Sequence, residues 1–181
     1  MFAIETERLI LRSWQGPDAG PFAAMNADPN VMRHFPGALT RGESDALMAH
    51  HQAHIEQNGY GAYAVLLRSN GAFIGACGCK QIAWPNALPT PVEIGWRFAA
   101  SAWGHGYATE AARAALADCF RKTQLDHVAS FTVQANRPSW TVMERLGMSR
   151  RADLDFDHPR IPDGHRLKRH IVYLAARPPG A

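Results

Sequence analysis

The residues best placed to do chemistry in this chain are Trp103-Gly104-His105-Gly106-Tyr107-Ala108-Thr109-Glu110. Two glycines one residue apart let the backbone turn tightly and bare its N–H groups. A helical pattern from Thr109 then begins with amides that have no acceptor of their own. A helix N-terminus carries roughly +0.5 of a charge, so the stretch is a seat for an anion, phosphate above all. Rival glycine loops fit less well. A Walker loop needs Gly-Lys-Ser/Thr, which is absent. A dinucleotide fingerprint wants Gly or Ala where Thr109 stands and an acidic ribose anchor closing the next strand, whereas Asp126 precedes its strand. On the loop alone, two glycines that merely turn the chain remain an open alternative.

The second candidate is Glu93. Alternation along Pro91 to Phe98 sets Val92, Ile94, Trp96 and Phe98 on one face, with Glu93, Gly95 and Arg97 on the other. A carboxylate in a strand covered on both sides needs a partner or a task. The partner reading is an ion pair with Arg97. The task is that of a general base acting through a water. Cys77 and Cys79 share a strand face and are expected in the core. His50 and His54 share a helix face, but no carboxylate or cysteine completes a ligand set, so the expectation is an exposed face and no metal.

These residues need elements to hold them. Strands are expected at Leu9–Arg12, Tyr60–Leu67, Phe73–Ile82, Pro91–Phe98, His127–Val133, from about Met148, and at Leu167–Ala175. Helices are expected from about Ala19 to Met25, from a Thr40/Glu43 capping box to Gln57, from Thr109 to about Lys122, and from a Ser139 cap to Leu146, where Gly147 stops the last one. Arg68-Ser69-Asn70-Gly71 reads as a hairpin turn. The strand, glycine loop, helix and strand from Pro91 to Val133 form a right-handed parallel crossover, which puts the loop at the C-terminal edge of the sheet. The meander before it departs from a doubly wound sheet and argues against a nicotinamide-dependent oxidoreductase.

The 181 residues are 46% hydrophobic with a formal charge of +3, enough for one domain, taken as 1–175 with a tail at 176–181. No basic stripe with interleaved aromatics suggests a nucleic-acid reader, and no apolar stretch suggests a membrane span or signal peptide. Three cysteines, two of them in Cys77-Gly78-Cys79, give neither a disulfide framework nor a two-spacer motif, and a cytoplasmic home is expected.

Taken in order, Glu93-Ile94-Gly95-Trp96-Arg97, the glycine loop, Asn136-Arg137-Pro138-Ser139 and Met143-Glu144-Arg145-Leu146-Gly147-Met148 resemble the signature of the GNAT superfamily of N-acetyltransferases, most closely its ribosomal-protein-alanine acetyltransferase branch. The resemblance spans Glu5 to Tyr173. It implies an α+β fold: a mostly antiparallel central sheet, one parallel strand pair splayed at a cofactor cleft, and helices on both faces. It also implies acetyl-CoA as cosubstrate and an amine acceptor, a protein N-terminus or a small molecule, with a homodimer left open. Backbone groups of Trp96, Arg97 and Phe98 would bond the pantetheine arm. Amides of Gly104, His105, Gly106, Tyr107, Ala108 and Thr109 would hold the pyrophosphate, and the Asn136 side chain would touch the cofactor. Ser139 would act near the thiol beside Glu93 as base. Two positions depart from the family pattern: Ser101 replaces a Gln or Arg before the loop, and Met143 replaces a tyrosine acid. The rival reading is a non-catalytic acyl-CoA sensor. The loops Asn26–Leu39, Ala83–Thr90 and Asp153–Gly164 would choose the acceptor.

Overall fold

The computed structural model describes residues 3–84 and 87–179. A short edge hairpin, β1 (Ala3–Glu5) and β2 (Leu9–Arg12), leads to helices α1 (Ala19–Ala27), α2 (Pro29–Met32) and α3 (Arg41–Asn58). The meander β3 (Ala62–Leu67), β4 (Phe73–Gln81) and β5 (Val92–Phe98) follows. Helix α4 (Tyr107–Lys122), β6 (His127–Val133), α5 (Arg137–Arg145), β7 (Ser149–Arg150), β8 (Phe156–Asp157) and β9 (Arg169–Ala176) complete the chain. Among the described residues the sheet order is β1-β2-β3-β4-β5-β6-β9-β7, with β8 also on β9. Every pairing is antiparallel except β5 with β6.

Local chemistry accounts for most boundaries. Thr40 and Glu43 close a reciprocal capping box on α3, and Gly59 ends that helix at φ +75°. The sheet has two covered faces. On one, Leu9, Leu11, Tyr63, Cys77, Cys79 and Ile94 are buried beneath α4, whose Ala111, Ala112 and Ala115 allow close approach. The Tyr63 hydroxyl donates to Asp118 of α4 at 2.7 Å, which pins helix to sheet. On the other face, Arg97 reaches Asn26 of α1, and the α3 side chain His54 meets the backbone N–H of Gln81. Cys77 and Cys79 are core residues as expected, and Cys119 of α4 joins them.

Some expectations shift. Helix α4 starts at Tyr107, two residues before Thr109, because Gly106 adopts φ +81° and serves as N-cap. Ser139 is not a cap: α5 begins at Arg137 behind Asn136, and Pro138 and Ser139 are the second and third residues of its first turn. Helix α1 runs through Ala27, so Asn26 lies in a helix and not in a loop. The stretch from Asp153 carries a 3-10 turn and β8 where a plain loop was expected. Strand β9 includes Ala176, and Arg177 donates to the carbonyls of Phe120, Thr123 and Leu125, so order passes the expected boundary at 175. Pro85 and Asn86 of the Ala83–Thr90 loop, and Gly180 and Ala181 of the tail, lie outside the described residues.

Candidate active site

The site begins where the sheet comes apart. The β4–β5 ladder is continuous from Gly75 opposite Phe98 to Gln81 opposite Val92, yet β5 and β6 are bridged only at Glu93 opposite Ala129. One residue further on, the Ser130 hydroxyl donates to the Ile94 carbonyl at 3.0 Å. Ile94 therefore directs its backbone polar groups toward β6. By strand alternation Trp96 directs its N–H and C=O into the same gap, where β6 no longer meets them. The Phe98 carbonyl is taken by the Trp103 indole N–H at 2.9 Å, so the free edge is centred on Trp96. Arg97 turns its backbone to β4 and only its side chain to the far face.

At the end of that gap sits the glycine loop. Gly104 and Gly106 both lie in the left-handed region, at φ +79° and +81°. A side chain at Gly104 would meet nothing within 4 Å, so its backbone angle, and not crowding, is what calls for glycine there. Gly106 supplies no capping side chain, and Glu110 is the first α4 residue whose amide returns to the Gly106 carbonyl, at 3.1 Å. The amides of Tyr107, Ala108 and Thr109 are thus left for an outside acceptor. The His105 ring stacks on Tyr107 with centroids 5.4 Å apart.

Sequence reasoning missed the brace of this loop. Arg8 donates to the His105 carbonyl at 2.9 Å, pairs with Glu110 at 2.7 Å and lies 4.9 Å over the Tyr107 ring. Glu110 also accepts from the Thr6 hydroxyl at 2.6 Å. Burial works against the ionised Glu110, but the hydrogen bonds from Thr6 and Arg8 outweigh it and hold its carboxyl below the usual range. Nothing local in Thr6-Glu7-Arg8 announces a contact nearly a hundred residues away. A half-exposed guanidinium therefore stands beside the anion seat, where Ser101 provides no charge.

Glu93 is buried, and its ion-pair partner is Lys80, directly opposite on β4, not Arg97. The reason is strand geometry: same-face residues four apart stand roughly 13 Å apart at Cα, too far for a pair, whereas a cross-strand neighbour is within reach. Lys80 binds Oε1 and leaves Oε2 without a partner among the described residues. The Arg97 guanidinium instead donates to Asn26 Oδ1 and stacks 4.0 Å from the Phe35 ring centroid. Asn26 is fully buried and also donates to Ser44 at 2.9 Å, which locks α1, α3 and β5 at one point.

At the end of β6, the Asn136 side-chain amide donates to the Thr132 hydroxyl at 2.9 Å, and the Asn136 main-chain carbonyl accepts from the Ser139 main-chain amide at 3.1 Å. Ser139 is half-buried, and Met143 one turn later is fully buried, so that turn of α5 presents no phenol. The structure brings Trp96 and Phe98 to the gap, with Gly104 to Thr109 beyond the end of β5. Asn136 and Ser139 follow β6, the other side of the gap. Of the histidines, His50 is exposed, while His51 is buried against Trp14, 5.9 Å between rings.

Together these features define a class: an open sheet split at one parallel pair, with an unpaired strand edge leading to an uncapped helix N-terminus, suited to a long phosphate-bearing ligand. A match to the acetyltransferase (GNAT) domain over residues 8–149 gives the family, and the chain belongs to it. It is 32% identical over 144 residues to the uncharacterized protein YkkB of Bacillus subtilis, covering 79% of this chain and 83% of that one. A GNAT-family acetyltransferase from Bacillus anthracis superposes with a TM-score of 0.80 at 25% identity, over 97% of this chain and 99% of the other. RimL, a ribosomal L7/L12 alpha-N-protein acetyltransferase solved with coenzyme A, shares the fold at TM-score 0.75 and 14% identity, over 97% and 98% of the two chains.

Proposed function

We propose that this chain transfers an acetyl group from acetyl-CoA directly to a primary amine in a ternary complex. The observation that carries the reading is the alignment of the unpaired Trp96 edge with the uncapped start of α4. The first fits an extended amide-bearing arm and the second fits phosphates. RimL, of the same fold, holds coenzyme A and acts on a protein N-terminus, which makes a protein N-terminus one acceptor class and a small-molecule amine the other. When bound, acetyl-CoA supplies the thioester. The amides of Tyr107 to Thr109 would hold its phosphates beside Arg8, and Trp96 would orient its arm.

Glu93 acts as the base. Lys80 holds Oε1 in place, and Oε2 accepts a proton from the incoming ammonium through a water, leaving a free amine. The amine nitrogen bonds to the acetyl carbon, the C–S bond breaks, and the second amine proton ends on the departing thiolate. Met143 offers no proton, and a thiol of pKa about 8.5 leaves without a dedicated acid, helped by Ser139 or water. Holding the reactants together supplies much of the rate.

The test is thiol release from acetyl-CoA against a panel of peptides and small amines. Intersecting double-reciprocal plots are expected. Tight acetyl-CoA binding with no turnover on any amine would instead favour a sensor.

A further inference from the structure

A cleft of about 560 Å³ opens on the sheet face opposite α4, walled by Met32, Phe35, Leu39 and Leu47, with Arg97 in its lining. Arg97 is out of place there. A guanidinium stays charged, and a charge removed from water is costly unless it is paired. Among the described residues no carboxylate lies within ion-pair distance of it, its Nε–H finds no acceptor, and its one hydrogen-bond partner is the neutral amide of Asn26. Burial alone pushes its pKa down to about 10. The other charge in the lining, Glu43, is engaged with the backbone and hydroxyl of Thr40 at the start of α3. Among the described residues nothing neutralises Arg97.

We infer that Arg97 is the anion-binding residue of the acceptor pocket and that the acceptor is an amine carrying a carboxylate on an apolar body. Asn26 occupies Nη1, which leaves Nη2 to meet a carboxylate, with the enclosed and unpartnered Nε–H beside it. Phe35 and the aliphatic walls receive the apolar part. Glu93 and Arg97 lie on one face of one strand, roughly 13 Å apart at Cα. The amine and the carboxylate are therefore separated by several bonds, as in a short peptide or an ω-amino acid, and not by one carbon as in a free α-amino acid. The word acceptor rests on the acetyl-transfer reading, but the anion subsite does not.

The experiment uses two probes that cannot be acetylated on nitrogen, 4-phenylbutyrate and 4-phenylbutanol, titrated into the whole protein by calorimetry. The butyrate is expected to bind at least tenfold more tightly than the alcohol, and Arg97→Met to abolish the difference while Arg97→Lys keeps part of it. Equal binding of the two probes to the unaltered protein overturns the inference without any variant. Turnover of 8-aminooctanoate against octylamine then tests the acceptor role, with a KM at least tenfold lower for the amino acid expected and equal KM values overturning it. If the carboxylate probe binds through Arg97 and no amine is acetylated, the anion subsite stands and the acetyl-transfer reading fails.

Discussion

Two arginines stand at opposite ends of a single row across the sheet: Arg12 opposite Ala64, Ala64 opposite Ala76, and Ala76 opposite Arg97. Both turn toward the α1 and α3 layer, and both are largely shielded from water. Arg12 meets the buried carboxylate of Asp18 through two hydrogen bonds of 2.7 and 2.8 Å. Arg97 meets an amide and an aromatic ring. The same residue type on the same face is thus answered within the chain at one end and left for something outside at the other. The difference separates a charge answered by the fold from one that the proposed acceptor carboxylate would answer.

That contrast can be broken most forcefully at Asp18. Asp18→Ala strands Arg12 as an unpaired charge and should cost about 3 kcal/mol or more of folding stability. A denaturant midpoint measures it, and a loss under about 1 kcal/mol would show that Arg12 is no better answered than Arg97. Glu93 is an intermediate case, paired inside yet placed for use. Glu93→Gln should lower kcat roughly 10²-fold, about 2.7 kcal/mol, with little change in melting temperature. Near-normal turnover would make Lys80 its whole purpose.

Acid sharpens the comparison at His51, which burial, then Lys80, His50, Arg97 and His54, lower to a pKa of about 3. Its folded pKa lies below the unfolded value, so its contribution is fully present above about pH 6.5 and is lost as pH falls toward 3. The loss should reach about 2 kcal/mol by pH 5. His51→Phe, which keeps the stack on Trp14, should flatten that slope in melting curves taken across the range. The smallest effect belongs to Arg97→Met: the bond to Asn26 and the stack on Phe35 are lost, but so is an uncompensated buried charge, and the two should offset to within about 1 kcal/mol. A strongly destabilised Arg97→Met would mean that Asn26 and Phe35 suffice and that Arg97 is as structural as Arg12.

Features encoded by neighbouring residues were legible in the sequence. The Thr40/Glu43 box fixed the start of α3, Asn70-Gly71 announced the β3–β4 turn, and β6 occupies His127 to Val133 as expected. The glycine loop could be read as an anion seat, but its helix was begun two residues late, since a left-handed glycine cap has no side-chain signature. Pro138 could have placed the start of α5 ahead of Ser139, because proline favours a helix's first turn. Registry between distant strands was not legible. Lys80 faces Glu93 only because β4 and β5 pair across a loop of unconstrained length, and Arg8 reaches His105 only once the edge hairpin is folded.

The glycine at position 106 has one more consequence. At φ +81° a side chain is strained whatever the space around it, and a polar cap is better than glycine by only roughly a few tenths of a kcal/mol, so no substitution at 106 would close the helix start with a gain in stability. The backbone angle that turns the loop thereby also keeps the amides of Tyr107 to Thr109 clear of a competing side-chain acceptor. In the free protein the helix is an unfinished element, and under the proposed acetyl transfer the cosubstrate's phosphates would complete it.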